Sequence, residues 1–223
     1  MVTKQSSLET PVPAQRQPVE GGSTGLEQRF RAQFGRPTGT LGWLVGHLMA
    51  LKNRKRSEWV LSLLDLKPTD RVLEVGFGSG ADVFRASQTA AFVAGVDHSE
   101  VMVRQARRRN AAAVRVGEVV LQLGSASQLP YPDKSFDKIF CINVALFWKD
   151  PVQEIRELGR VLKPGGLVAV AVQPRTKGAT EETSRETGRK LVDALSEAGF
   201  SQVRLETKPL EPVSVVCALG VKP

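Results

Sequence analysis

The chain has 223 residues, 41% hydrophobic and 24% charged, which suits one sizeable globular domain. A core of that size needs neither disulfides nor a metal, and Cys141 and Cys217 each lie in an apolar run. We therefore expect reduced core thiols and no metal site. The net charge of +8 permits a nucleic acid, an anionic membrane or an acidic metabolite as partner but identifies none of them. With no apolar run near the roughly 20 residues that span a bilayer and no apolar leader, we expect a cytoplasmic protein without a membrane span, as a monomer or homodimer.

The first part of the chain divides in two. Residues 1–24 are rich in Pro, Ser, Thr and Gly, which predicts a disordered tail. Residues 25–68 have a helical pattern and form a predicted N-terminal extension. Its segment Leu41–Leu51 is too apolar to remain in water, so it must pack on something. For the basic group from Lys52 to Arg56 we favour a solvated helix face over contact with an anionic partner.

After Pro68 the pattern alternates between strands and helices, which favours parallel strands joined by helical crossovers. The predicted strands are Arg71–Val75, Phe92–Val96, Val116–Leu123, Phe136–Ile142, Leu167–Val172, Gln202–Glu206 and Val213–Leu219. The predicted helices are Ala81–Gln88, Val101–Arg109, Pro151–Leu162 and Ser184–Ala198. Residues 69–223 are therefore predicted to form a doubly wound α/β core with a seven-stranded, mostly parallel sheet.

A glycine turn follows the first of these strands, in Val72–Gly80, and Asp97 follows the second strand, 21 residues after Gly76. Glycines there permit positive φ and let a ligand approach the backbone, and a carboxylate in that place suits the two hydroxyls of a ribose. A turn with a helix-capping Asp and no ligand is the simpler alternative. Gly76, Gly78 and Ala81 also match a nicotinamide-type turn formally, so the turn alone does not choose the cofactor.

Further motifs make that choice. After the glycine turn, the chain carries Gly95-Val96-Asp97-His98-Ser99, Gly124-Ser125-Ala126, Leu129-Pro130, Ser135-Phe136-Asp137, Ile142-Asn143-Val144 and Leu162-Lys163-Pro164-Gly165-Gly166. With these pieces in this order and spacing, the chain resembles a class I S-adenosylmethionine-dependent methyltransferase, most like the small-molecule enzymes of the ubiquinone and menaquinone biosynthesis type. The resemblance runs from about Asp70 to Val172.

The resemblance implies a site for S-adenosylmethionine, which would leave as S-adenosylhomocysteine. Glu74 would lie near the amino-acid end of the cofactor, the glycine turn would hold the methionine part, and Asp97 would bind the ribose. His98 would contact adenine, or else be a solvent-exposed turn residue. Ser125 replaces the acidic residue that usually accepts the adenine amino group, so the charge-assisted part of that bond is lost. The implied cofactor-binding residues are Glu74, Gly76, Phe77, Gly78, Gly80, Asp97, His98, Ser99, Met102, Gly124, Ser125, Ala126, Asn143 and Val144.

The acceptor is expected beyond the fourth strand, between Asn143 and Trp148. Related enzymes often carry His at the positions of Leu146 and Phe147, and here both residues are apolar, which favours an apolar or already ionised acceptor. Asn143 is the catalytic candidate, with a role in capping the strand end as its favoured alternative. The extension is expected to form a lid over the cofactor. The predicted substrate-pocket residues are Trp43, Met49, Leu146, Phe147 and Trp148.

Methyl transfer to a small molecule is therefore the leading hypothesis, by an in-line displacement that depends on alignment and desolvation. An RNA- or protein-directed methyltransferase is the first alternative, although few aromatic residues lie among the basic ones. A nicotinamide oxidoreductase is the second, but the only tyrosine, Tyr131, has Ser135 where a Tyr-x-x-x-Lys pair would place lysine. A binding module with a degenerate cofactor site is the third.

Overall fold

A computed structural model describes residues 54–223. Its helices are α1 (Arg54–Leu64), α2 (Ala81–Ser87), α3 (Glu100–Arg109), α4 (Ala111–Arg115), α5 (Pro151–Val161) and α6 (Glu181–Glu197), with a short 3-10 helix at Ala145–Phe147. Its strands are β1 (Arg71–Val75), β2 (Phe92–Asp97), β3 (Val119–Leu123), β4 (Phe136–Ile142), β5 (Leu162–Val172), β6 (Ser201–Lys208) and β7 (Val215–Val221).

The strands form one seven-stranded sheet in the order β3-β2-β1-β4-β5-β7-β6. The first five are parallel, whereas β7 runs antiparallel to β5 and to β6. The chain winds from β1 outward to β3 and then returns to place β4 on the other side of β1. The carboxyl ends of β1 and β4 therefore flank a topological switch point, where doubly wound folds hold their ligands.

Helices cover both faces of the sheet, because the parallel strands are apolar on both sides. On one face, α1, α2 and α3 bury Val60, Val83 and Ala106 against the sheet. On the other face, α5 and α6 bury Ile155 and Leu195. Cys141 and Cys217 are both buried free thiols, as the sequence predicts. The α/β class, the number of strands and the mostly parallel sheet are all confirmed.

Several element bounds differ from the prediction. The third strand begins at Val119 because a separate short helix, α4, precedes it. The fifth strand begins at Leu162 rather than Leu167, since Leu162 pairs with Phe136 before the register shifts. The last helix begins at Glu181, where the Thr180 hydroxyl accepts a hydrogen bond from the Thr183 N–H and caps the helix.

The predicted tail, the extension as far as residue 53, and the pocket residues Trp43 and Met49 lie outside the described residues. The described end of the extension is α1, which buries Val60 and Leu64 completely in the main core. The expectation of a lid therefore concerns only residues that precede α1. Across residues 54–223 no helix combines the length and the apolar character needed to cross a bilayer.

Candidate active site

A cleft of about 900 Å³ opens at the switch point. Its floor consists of the segments that leave the carboxyl ends of β1, β2, β3 and β4, and one wall comes from α1. That volume lies at the upper end of the range for small-molecule sites, which leaves room for a nucleotide-like cofactor and an acceptor together.

The glycine turn forms the centre of the floor. Gly76 has φ of 73° and donates a 2.7 Å hydrogen bond to the carbonyl of Val96, which ties the turn to β2. A Cβ at Gly76 would collide with the side chain of Val144, so glycine is required there by packing. Gly78 has φ of 52°, and among residues 54–223 no atom beyond its own chain neighbours lies within 4 Å of the position of a Cβ. The backbone at Gly78 is therefore open to the cleft, as a ligand pressed against it would require.

Asp97 is the last residue of β2 and is only 6% exposed. One carboxylate oxygen accepts a 2.8 Å hydrogen bond from the Gly78 N–H, and the other accepts a 2.9 Å bond from the Ser99 N–H. Burial raises the pKa of Asp97, and these two N–H groups oppose the rise. Asp97 thus fixes the glycine turn relative to β2, and its remaining lone pairs are available for a ligand's hydroxyl groups.

Glu74 is the second-last residue of β1, separated from the glycine turn by Val75, and is 3% exposed. Its Oε2 has no hydrogen-bond partner within the described part of the chain. Burial and then the negative charges of Asp82 and Asp97 raise the pKa of Glu74 well above the usual range. Three acidic side chains therefore share this part of the cleft, and a cation bound there would relieve their repulsion.

The residues expected around adenine lie at the β2–β3 end of the cleft. Met102, on α3, is buried behind it, and His98 is exposed, with Nδ1 3.8 Å from a carboxylate oxygen of Asp97. Ser125 is exposed, and its hydroxyl lies 2.8 Å from that of Ser127. This placement fits both interpretations of His98, as an adenine contact and as a turn residue.

The β4 end of the cleft is mainly apolar. Leu146 and Phe147 are 46% and 63% exposed and line the cleft beside Trp148. Two buried polar atoms among the described residues of this wall have no partner, Nε1 of Trp148 and Oε2 of Glu154. Asn143 has φ of 63°, and its side-chain oxygen accepts a 2.8 Å hydrogen bond from the Gln173 N–H. Its amide therefore joins the ends of β4 and β5, which is the structural role that the sequence favours.

Most of the predicted site residues line this one cleft. They are Glu74, Gly76, Phe77, Gly78, Asp97, His98, Met102, Gly124, Ser125, Ala126, Asn143, Val144, Leu146, Phe147 and Trp148. Gly80 and Ser99 are not among its lining residues. A Cβ at Gly80 would lie 2.5 Å from that of Ala106, so this glycine permits close packing of α3. Ser99 caps α3, since its hydroxyl accepts from the Met102 N–H. The Phe77 ring packs in the core near Gly95 and Leu121.

The structure also adds cleft residues that the motifs do not indicate, chiefly Arg56, Asp82, Glu154 and Arg175. The prediction of a solvated face is wrong for Arg56, which is 3% exposed and donates a 3.0 Å hydrogen bond to the side-chain oxygen of Gln173. Its position within a dense basic group is the reason that the sequence predicted solvent exposure for it. Asp82 accepts hydrogen bonds from the Ser57 hydroxyl at 2.7 Å and from Arg85 at 2.5 Å. No cluster of ligands suited to a metal occurs in residues 54–223.

These features fit S-adenosylmethionine. Its ribose hydroxyls match the carboxylate of Asp97, its sulfonium and ammonium groups match the acidic part of the cleft near Glu74, and the open backbone at Gly78 allows close approach. S-adenosylmethionine supplies an electrophilic methyl group when it is bound.

Comparisons with known proteins agree with this assignment. The family model of a methyltransferase domain matches residues 73–170. The uncharacterized methyltransferase YdaC of Bacillus subtilis is 32% identical over 182 residues, which cover 81% of this chain and 98% of YdaC. The 27-O-demethylrifamycin SV methyltransferase of Amycolatopsis mediterranei is 34% identical over 158 residues, which cover 68% of this chain and 58% of that protein.

Solved structures show the same fold. The complex of the Haloferax volcanii Trm112 methyltransferase activator contains a chain that matches with a TM-score of 0.68 at 19% identity, over 80% of this chain and 92% of that one. The match to the methyltransferase domain model and the identity with YdaC, together with the glycine turn and Asp97, settle the cofactor in favour of S-adenosylmethionine over a nicotinamide. The chain belongs to the class I S-adenosylmethionine-dependent methyltransferase family.

Proposed function

We propose that the protein methylates a small acceptor held against the apolar wall at the end of β4, by alignment and exclusion of water. The observation that carries this proposal is the exposure of Leu146 and Phe147 at the cleft. Histidine at these positions would supply a proton relay, which two apolar side chains cannot. An acceptor that needs no deprotonation suits such a wall.

The chain's own residues have separate tasks in this scheme. Asp97 binds the ribose, and Glu74 favours positive charge at the methionine end of the cofactor. Phe147 and Trp148 shape the acceptor pocket and keep water away from it, which strengthens the local electrostatics. Asn143 positions the backbone at the ends of β4 and β5 through its bond to Gln173, so we assign it a positioning role rather than a catalytic one.

The relatives support a small acceptor of metabolite size. The Amycolatopsis enzyme is named for a small molecule, 27-O-demethylrifamycin SV, although the chain spans only 58% of its length. The quinone-biosynthesis subtype that the sequence suggested stays a prediction, as do the choice between monomer and homodimer and a location in the cytoplasm. The alternative of an RNA or protein acceptor remains a competing outcome of the test below.

We also propose that Leu41–Leu51 covers the mouth of the cleft. Two observations support it: the mouth exposes Phe147, and α1, which follows this segment closely in the chain, contributes Arg56 and Ser57 to the cleft. Deletion of residues 1–24 should then leave turnover near wild type. Trp43→Ala or Met49→Ala should lower turnover more than it lowers the melting temperature.

The decisive experiment measures release of S-adenosylhomocysteine from S-adenosylmethionine across a metabolite library, with bulk RNA and a protein lysate as parallel acceptors. Turnover with a small molecule supports the proposal, and turnover with RNA or protein alone contradicts it. Phe147→Ala should then raise the acceptor KM several-fold while S-adenosylhomocysteine affinity stays constant. Phe84→Ala is a matched control, because Phe84 is 48% exposed on α2 and is not among the cleft residues.

A further inference from the structure

The order of the strands assigns positions along the cleft. Adenine, ribose and methionine are expected beside β3, β2 and β1, which are neighbours in that order. The next strands along the same edge are β4 and β5. Gln173 and Arg175 follow the end of β5, so they lie on the side of the cleft away from adenine, where the acceptor is proposed to bind.

A buried arginine from α1 reaches the same place. Arg56 donates a hydrogen bond from Nη1 to Oε1 of Gln173 at 3.0 Å, and its Nε has no partner among residues 54–223. The Gln173 amide is fixed, since its Nε2 donates to the carbonyls of Glu211 at 3.0 Å and Val213 at 2.8 Å. Arg175 also donates to Oε1 of Gln173, at 3.4 Å. Two guanidinium groups therefore converge on one neutral oxygen.

Within residues 54–223, Arg56 forms no ion pair with a carboxylate. Asp82, whose charge favours the protonated arginine, is already bonded to the Ser57 hydroxyl and to Arg85. Burial, and next the charge of Arg175, lower the pKa of Arg56 to about 10. A buried cation is normally stabilised by a charged partner, and without one its burial is unfavourable. An anion in the cleft would supply that partner.

We infer that Arg56 and Arg175 bind an anionic group of the methyl acceptor, a carboxylate or a phosphate. Guanidinium groups suit both anions because their planar N–H donors match pairs of oxygens. Arg56 and Arg175 both line the cleft, and the buried Nε of Arg56 is a donor that residues 54–223 leave unpaired. This inference rests on the proposed function, and it narrows the acceptor from a small molecule to a small anion.

The first test uses inorganic phosphate and acetate as probes, with the full chain saturated by S-adenosylhomocysteine and the ionic strength held constant with chloride. At least one probe should raise the melting temperature of the wild type. Arg175→Gln should weaken its apparent affinity about tenfold, the usual effect of losing a charged hydrogen bond. Lys177→Gln is the control, because it removes the same charge from the same loop and Lys177 is not a cleft residue. Arg56→Gln is the second variant. If the Arg56→Gln protein does not fold, the result for Arg175→Gln decides the test.

A second arm distinguishes the acceptor from the cofactor, which also carries a carboxylate. Calorimetry should give S-adenosylhomocysteine affinities within about threefold for the wild type and Arg175→Gln, well below the effect of a lost charged hydrogen bond. Arg175→Gln could instead reduce the affinity for S-adenosylmethionine much more than threefold, and leave the affinity for decarboxylated S-adenosylmethionine unchanged. That result would assign the arginines to the cofactor's carboxylate and overturn the inference. Absence of any phosphate or acetate effect in the wild type would overturn it too.

The turnover screen separates this inference from the proposed function. Acceptors should be offered as pairs, each carboxylic acid or phosphate ester beside its uncharged amide or alcohol. Turnover of the anionic members, with a KM raised about tenfold by Arg175→Gln and unchanged by Lys177→Gln, supports the inference. Turnover of the uncharged members alone refutes it and leaves small-molecule methylation standing. No turnover of any small molecule contradicts the proposed function itself.

Discussion

Replacing Asp97 by alanine tests the cofactor assignment most directly, because the carboxylate serves two partners at once. In the free protein it accepts hydrogen bonds from the Gly78 and Ser99 N–H groups at 2.8 and 2.9 Å. With cofactor bound, it is expected to accept from the ribose as well. A charged hydrogen bond contributes about 1.5–3 kcal/mol. Asp97→Ala should therefore weaken S-adenosylhomocysteine binding by about 10- to 150-fold.

The same substitution should also reduce stability. Two buried N–H groups lose their acceptor, at about 1–3 kcal/mol each, and removal of a buried carboxylate offsets part of that loss. We expect a net loss of about 2 kcal/mol, or roughly 4–8 °C in melting temperature for a chain of this size. Asp137→Ala is the control: Asp137 also accepts a backbone N–H, from Arg71 at 2.9 Å, but lies outside the cleft. It should lower stability and leave affinity unchanged. Calorimetry showing wild-type affinity for a folded Asp97→Ala protein would refute the assignment.

Three further predictions concern the floor of the cleft. Gly78→Val should abolish measurable S-adenosylhomocysteine binding with a moderate loss of stability. Gly76→Ala should mainly destabilise the fold, because its Cβ would collide with Val144. The reverse pattern in calorimetry and thermal melts would contradict the geometry. Ser125→Asp should maintain or raise cofactor affinity, and a large loss would mean that this segment does not face adenine. Because its folded-state pKa is raised, Glu74 stabilises the fold most below its unfolded pKa and progressively less as the pH rises through the folded value. Glu74→Gln should therefore become increasingly more stable than the wild type in urea melts from pH 5 to pH 8, and a constant difference would refute this explanation.

The sequence predicts the parts of the site that depend on local patterns. Strand, glycine turn and helix follow one another within a few residues at Gly76–Gly80, and the carboxylate at the end of the next strand is recognisable by its spacing. Asp97 was therefore predictable as a cleft residue. Its bond to the Gly78 N–H was not, since that depends on how two strands pair.

The remaining features depend on contacts between distant segments. Arg56 is buried because Gln173, 117 residues later, accepts its hydrogen bond. The Pro-Gly-Gly turn after α5 joins β5 because the Gly165 N–H donates to the carbonyl of Lys222, near the other end of the chain. Neither contact can be predicted from the charge pattern or the turn propensity of the local sequence. Gly80 illustrates the same limit. Its place in the glycine motif predicts contact with the cofactor, but the close approach of α3 is what requires glycine there.

The two halves of the cleft differ in the sign of their charge, and this difference has a chemical consequence. Glu74, Asp82 and Asp97 lie in the half proposed for the cofactor, whereas Arg56 and Arg175, with the single carboxylate of Glu154, lie in the half proposed for the acceptor. An acidic half favours the sulfonium of S-adenosylmethionine over the neutral thioether of S-adenosylhomocysteine, since only the former carries that positive charge. Methyl transfer removes the charge, so we expect these acidic groups to bind the product less strongly than the substrate. We therefore expect the arrangement proposed to select the cofactor also to favour product release.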